Sequence, residues 1–301
     1  MGDKLAMTAS QMSSNATGSS GAVVRTSANA ISRKELFAWV WTALLANNAV
    51  CILRSDSLDA FLTSLLAVNA IVVLAWFVVF KRLLASSAAT RVTSSDVIFA
   101  AAFALLFCAT TLFETRRFAV GLLTTIAGLY TVVKSDGDND LKASAAVLLA
   151  LAANMTWAPL VFQYFGPDLV QADAAIVGNI LSKTNPEILW SGTTFQGADG
   201  HRIILVGACS SFHNMSFGLL ACISIAMFAR NTFVWRDAVV VLLGSVVMVG
   251  LNAFRLSVLA TSAPAYAYWH DGAGAEIHAA IATVCIVAVG LWGTAWASRT
   301  R

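Results

Sequence analysis

Eight stretches of this chain, near residues 35–54, 59–80, 97–114, 118–133, 143–165, 206–229, 238–260 and 276–297, are almost free of charged side chains. A helix crosses the ~30 Å hydrocarbon layer with about twenty apolar residues, and most of these runs reach that length. Each run is continuous, whereas the strands of a membrane barrel alternate apolar and polar with a period of two. Hydrophobic residues make up 58% of the chain and charged residues 12%, a balance foreign to soluble domains. The expected fold is an all-α polytopic membrane protein with about eight transmembrane helices. The fourth run is the shortest and begins beside Arg116 and Arg117; without it, every later segment would point the opposite way.

Residues 1–33 are Ser, Ala, Thr and Gly without a helical period and read as a disordered cytoplasmic tail ahead of an integral membrane domain over 34–301. No apolar h-region precedes residue 35, which argues against a cleaved signal peptide. Ala6 stands where a myristoylation signal has Ser or Thr. The net charge of +3 is too small to imply nucleic acid. Lys and Arg favour cytoplasmic loops, and counting from the tail puts Lys81, Arg82, Arg91, Lys134, Lys142, Arg230, Arg236 and Arg299 inside, with Arg116 and Arg117 the exception. This topology belongs to a multi-pass protein of the cytoplasmic (inner) membrane.

The same count makes 166–205 the one long extracytoplasmic loop. Within it, 168–183 reads as an amphipathic helix lying in the interface plane, with Leu169, Ala172, Ile176, Ile180 and Leu181 on its apolar side. Short β-prone runs then follow around 188–190, 192–195 and 200–206, so a small extracytoplasmic β-hairpin turning at Ala198-Asp199-Gly200 is expected just before the last apolar helices, 206–297. His201, in that hairpin, is expected to be solvated.

The five cysteines contain no CxxC pair. Cys51, Cys108, Cys222 and Cys285 lie inside apolar runs, where Cys serves as a small buried hydrophobe. Cys209 lies where a polar segment gives way to an apolar one, at an outer helix end. Exposed N–H groups at a helix start, with a nearby cation, favour the thiolate. Asn252 and Arg255 fall in the last two turns of the next helix, one turn apart on one face. His270 follows in the outer loop, so thiol, guanidinium and imidazole share one level on one side of the membrane. Arg255 would hold the thiolate or an oxyanion, or else snorkel to headgroups. His270 would move the proton, with Asp271 to bias its tautomer, or be a plain loop residue. His213, four residues after Cys209, is a competing base. Ser210, Ser211 and Asn214 would cap the helix, and Asn252 would orient a side chain or bond within the bundle. Cys209, His213 and His278 form the only metal-ligand alternative, but no HExxH or paired-Cys spacing accompanies them. Neither metal nor cofactor is expected.

The strand running into Ala208-Cys209-Ser210, the Asn252-x-x-Arg255 pair and His270-Asp271-x-x-Gly274 together resemble the exosortase/archaeosortase family of multipass membrane cysteine transpeptidases. The resemblance covers about 166–297; the earlier runs match only as hydrophobic segments. It implies a protease/transpeptidase that cleaves C-terminal sorting signals, each a short motif, a transmembrane helix and a basic cluster, on proteins anchored in the same bilayer, in association with exopolysaccharide or cell-surface assembly. Cys209 would be the nucleophile, Arg255 the thiolate or oxyanion partner and His270 the general acid/base, with Ser210, Asn252 and His213 in support. The chain departs from the family pattern after Ser210, where Ser211-Phe212-His213-Asn214 stands in place of Gly, an apolar residue and Arg. The alternative is a non-catalytic membrane scaffold or transporter for polysaccharide or lipid assembly, although no internal repeat of the transporter kind relates 35–165 to 206–297.

Overall fold

In hydrocarbon an unpaired backbone group costs several kcal/mol, so apolar runs satisfy their amides within helices. The computed structural model describes residues 31–55, 69–87, 91–110, 116–197 and 199–299, and most of its helices overlap the apolar runs. They are α1 (Arg33–Ser55), α2 (Asn69–Ala85), α3 (Ser94–Thr110), α4 (Arg116–Val133), α5 (Asn139–Ala152), α6 (Ala158–Thr184), α7 (Ser211–Ala229), α8 (Trp235–Leu259), the short α9 (Ala263–Tyr266) and α10 (Ala273–Ser298). Residues 59–68 and 111–114 of the second and third runs, and nearly all of the expected tail, lie outside the described residues. Four helical elements among the described residues are long and apolar enough to cross a membrane: Asn139–Thr184, Ser211–Ala229, Trp235–Leu259 and Ala273–Ser298. Ser94–Ala109 and Phe118–Val133 are shorter apolar helices.

Ionic contacts gather the helix ends that carry basic residues. Arg33 Nε bonds Asp96 Oδ2 at 3.0 Å and its Nη1 bonds Asp136 Oδ2 at 2.8 Å, tying α1 to the start of α3 and to the α4–α5 turn. Arg82 Nη1 bonds Asp140 Oδ1 at 2.9 Å while its Nε donates to the Met227 carbonyl, joining the ends of α2 and α7 to the start of α5. Arg230 pairs with Asp237 across the α7–α8 turn. Successive long helices therefore start and finish alternately at this basic end. The expected tail ran to Arg33, but that side chain is 5% exposed and helical, and Ser32 bridges Arg91. A buried guanidinium needs a carboxylate partner, and Asp96 supplies it, so the ordered domain begins earlier than composition implied.

A π turn, Ala153–Trp157, joins α5 to α6 into one helical stretch. About 50 Å of helix separate Asp140 from Asp173, whereas about 24 Å of α7 separate Ser211 from Met227, and both paths link the same two places because Arg82 bridges Asp140 to Met227 and Asp173 bonds Ser211. The α5–α6 stretch must therefore bend. The π turn and Pro167, both inside it, are established causes of bending. The amphipathic segment expected at 168–183 is thus the far end of α6, not a separate helix. Its buried face also differs: Val170, Asp173, Ala174, Val177, Gly178 and Leu181 are buried, while Ala172 and Ile176 and Ile180 of the expected apolar side are exposed.

After α6 come β1 (Leu189–Ser191), β2 (Thr194–Gln196) and β3 (Arg202–Ile204), an antiparallel sheet in the order β1-β2-β3. Gly192 (φ +57°) and Gly200 (φ +82°) adopt the left-handed backbone its two turns require. The turn before β3 is pinned by Asp199, whose Oδ1 accepts from His201 N at 2.9 Å. Alternation then works as a sorting device: Phe195, Ile203 and Leu205 point down onto Val177 and Leu181 of α6 and Leu256 and Leu259 of α8, forming a second core beside the main one within the bundle. Each such side chain fully removed from water contributes about 1.5–3 kcal/mol. This small core holds the sheet against the end of α8 and so fixes where the chain enters α7.

Candidate active site

Val206 delivers the chain from β3 into a single 3-10 turn, Gly207–Cys209, and Ser210 then caps α7, accepting from Phe212 N at 3.3 Å. Cys209 is a half-buried free thiol. It stands two residues before α7 rather than within its first turn, and the amides around it are spent. Cys209 N bonds Val206 O at 2.8 Å and Ser210 N bonds Gly207 O at 3.1 Å; Ser211 N bonds Asp173 Oδ2 at 2.9 Å. The expected stabilisation of the thiolate by bare N–H groups at a helix start is therefore not available, because a carboxylate and a serine hydroxyl already cap that end.

Two buried side chains clamp the cysteine turn. Asp173, 7% exposed on α6, accepts from Ser210 Oγ at 2.8 Å, from Ser211 N, and from Ser211 Oγ. Asn252, 3% exposed on α8, donates through Nδ2 to the Cys209 carbonyl at 2.9 Å and accepts from Asn214 at 3.3 Å. Arg255, a turn further along α8, reaches the other way: Nε and Nη2 both donate to the Trp269 carbonyl, at 3.3 and 3.2 Å. The spacing Asn-x-x-Arg thus places one donor on the backbone of the thiol-bearing residue and a forked donor on the backbone beside His270. Among the described residues no carboxylate pairs with Arg255.

His270 lies in a π turn, Ala267–Asp271, between α9 and α10. Its Nδ1 is 2.6 Å from Asp271 Oδ1, and its ring stacks on Tyr266 at 4.6 Å and 12°. An ionised carboxylate only accepts, so Nδ1 carries a proton and Nε2 of a neutral ring is left free to accept. Neighbouring residues in a regular helix diverge, but the wider π turn lets Asp271 face the ring.

A cavity of about 470 Å³ is lined by Cys209, His270, Tyr266, His201, Leu256 and Leu259, along with Arg202 and the other residues of β3. The thiol and imidazole read from the sequence therefore border one space. Arg255 borders another, of about 230 Å³, with His213, Asn214 and His278. His213 packs edge-on against Phe217 at 5.0 Å and does not line the cavity of Cys209, since the cysteine precedes the helix and the helical i, i+4 relation does not hold between them. The metal-ligand alternative of Cys209, His213 and His278 is split between the two cavities, and among the described residues no cluster of three or more His, Cys, Asp or Glu is placed to hold a metal ion. His201, expected in solvent, is half-buried, lies 5.5 Å from the Tyr266 ring, and has a buried Nε2 without a hydrogen-bond partner among the described residues.

Asp173 was the residue the sequence reading passed over. The one signal available was a carboxylate three to four residues from Val170 and Val177, on what proves to be the buried face. The family model of the transmembrane exosortases matches residues 56–288. No curated protein and no solved structure matches the chain.

Proposed function

Because the chain belongs to the transmembrane exosortase family, we propose that it is a membrane cysteine protease/transpeptidase that cuts C-terminal sorting signals of exported proteins. The observation that carries this reading is that Cys209 and His270 border one cavity while Asn252 and Arg255, from a single helix face, hold the backbone beside each of them. The Cys209 thiolate attacks the carbonyl of a peptide bond just outside the target's membrane anchor. His270 Nε2 takes up the thiol proton and returns it to the leaving amine, so the anchor departs with a free amino terminus and the upstream protein remains as a thioester. A second nucleophile, giving its proton to the same imidazole, resolves the thioester. With the amides of Cys209 to Phe212 occupied, charge on the carbonyl oxygen falls to side chains; Arg255, held on the Trp269 carbonyl beside His270, is the cation this reading assigns to it, and Arg202 lines the same cavity as Cys209.

The same reading takes all eight apolar runs as membrane crossings in the cytoplasmic membrane. The end gathered by Arg33, Arg82 and Arg230 would be cytoplasmic, with the sheet and Cys209 on the extracytoplasmic side, where an exported protein presents its tail. Surface assembly that includes exopolysaccharide is the setting in which such processing is expected.

The test is processing in cells. A secreted reporter is fused to a C-terminal tail of short motif, apolar helix and basic cluster from the same genome, and its mass is read with and without the enzyme. Cys209→Ala abolishes the mass change, and Arg255→Ala and His270→Ala lower it about 100-fold or more; His213→Ala leaves it within about threefold. Processing that survives Cys209→Ala ends the cysteine-enzyme reading in favour of a scaffold.

A further inference from the structure

The cavity beside Cys209 has an unusual wall, the unpaired edge of a β-sheet. β3 pairs only with β2 among the described residues, in the register Thr194↔Ile204, Phe195↔Ile203 and Gln196↔Arg202. The bonds Leu205 N to Thr193 O at 2.9 Å and Gly197 N to His201 O at 2.8 Å fix the phase of this ladder. In an antiparallel pair, hydrogen-bonded and non-hydrogen-bonded positions alternate, so His201, Ile203 and Leu205 turn their N–H and C=O toward β2. Arg202 and Ile204 turn theirs outward, away from the sheet.

That outward edge belongs to a strand whose residues line the cavity together with the apolar Leu256 and Leu259, the rings of Tyr266 and His270, and Cys209. An exposed edge is normally blunted by a charge, a proline or a covering element because it templates another strand. Here the strand carries one charge, Arg202, and no proline, and residues 201–206 line an open cavity. His201, whose Nε2 is buried and without a partner among the described residues, lines the same space; a buried polar atom of this kind needs an explanation, and a bound peptide would give it a partner.

We propose that the substrate's recognition segment binds in extended form as a fourth strand on β3, pairing with the outward N–H and C=O of Arg202 and Ile204, with its scissile carbonyl carried to Cys209 where β3 ends. The proposal rests on the peptidase reading and adds how the peptide is held. Affinity comes from main-chain hydrogen bonds, and side chains alternate between the apolar floor and solvent. Such binding tolerates sequence variation in the motif but requires an unfolded segment between the target's last folded domain and its anchor.

The test uses the full-length chain and the reporter described above. Ile204→Pro removes one outward N–H and leaves the β2–β3 ladder intact, because that N–H does not face β2; Ile204→Ala keeps the N–H. The expected result is a loss of processing at least tenfold greater in Ile204→Pro than in Ile204→Ala, which keeps the N–H. Maleimide labelling of Cys209, in a background with the other four cysteines replaced, is expected to be equal in both, which separates lost docking from a collapsed site. In Cys209→Ala protein carrying Ile204→Cys, single cysteines walked through the reporter's motif are expected to cross-link at every second position. Processing unchanged by Ile204→Pro, or cross-links without the two-residue period, would overturn the fourth strand while leaving the peptidase reading in place. A wild-type chain that never changes the reporter's mass would instead overturn the peptidase reading and the docking with it.

Discussion

The carboxylate of Asp173 receives three donors from Ser210 and Ser211, so its loss strands two buried hydroxyls and a helix-start amide at once. An unsatisfied buried donor costs about 1–3 kcal/mol. Asp173→Asn offers one acceptor oxygen where two were used and turns an NH2 toward donors; processing is expected to fall about tenfold while the protein still inserts, with faster maleimide labelling of Cys209 as its turn loosens. Unchanged labelling would show that the clamp does not govern the thiol. At Arg255 geometry matters as well as charge. Both Nε and Nη2 meet one carbonyl, a forked arrangement a lysine cannot reproduce, and Arg255→Lys is expected to retain less than a tenth of wild-type processing. Cys209, Asn252, Arg255 and His270 were legible in the sequence because a thiol, a guanidinium within an apolar run and an imidazole at one expected membrane level need a reason. Asp173 was not, because its meaning depends on partners 37 and 38 residues away, and His201 was misjudged because a hairpin on a surface and a hairpin against Tyr266 read alike.

Among the elements, the sheet depends on close packing. A Cβ added at Gly178 of α6 would come within 2.3 Å of the Trp190 ring on β1, and that ring stacks on Phe195 at 6.3 Å and 5°. Overpacking of this kind typically costs about 1–3 kcal/mol. Gly178→Leu is expected to displace the sheet and lower processing, with increased proteolytic nicking between 185 and 205 as the measurement. Asp199 stiffens the turn next to β3: the His201 N–H, above all, holds its carboxylate below the ordinary value. The sign follows directly. A depressed folded value contributes above the unfolded value near about 4 and is lost as pH falls through the lower folded one, so the turn persists at mildly acidic pH and loosens only in stronger acid. Helix positions were readable from hydropathy alone, and the three β runs from their Gly-rich turns. The buried face of α6 was not, since its expected apolar side at Ala172, Ile176 and Ile180 is the exposed one.

Across the whole molecule, one end is bound by charge and the other by a small apolar core and backbone clamps. Arg33 and Asp96 are 5% and 0% exposed, and removing one member of such a pair leaves an uncompensated charge, at about 3–5 kcal/mol. Arg33→Met is therefore expected to lower the amount of folded protein recovered from membranes sharply, and the double variant Arg33→Met with Asp96→Asn to recover part of it; equal loss in both would show that the pair is not the source. The alternation of basic loops already implied this end, but the pairings that close it, Arg33 with Asp136 and Arg82 with Asp140, join residues 58 to 103 positions apart and carry no local pattern.

The bent α5–α6 stretch has a bearing on which bond is cut. It is fastened to the basic end by Asp140 and to the cysteine turn by Asp173, so the thiol cannot rise or sink relative to the bundle. Under the proposed function and orientation the enzyme would work as a depth gauge. A peptide bond would be chosen first by its height above the lipid, set by how many residues of the tail lie between it and the anchor helix, and only then by the side chains around it. Lengthening that spacer by a few residues would then carry a matching motif out of reach, and shortening it would bury the bond.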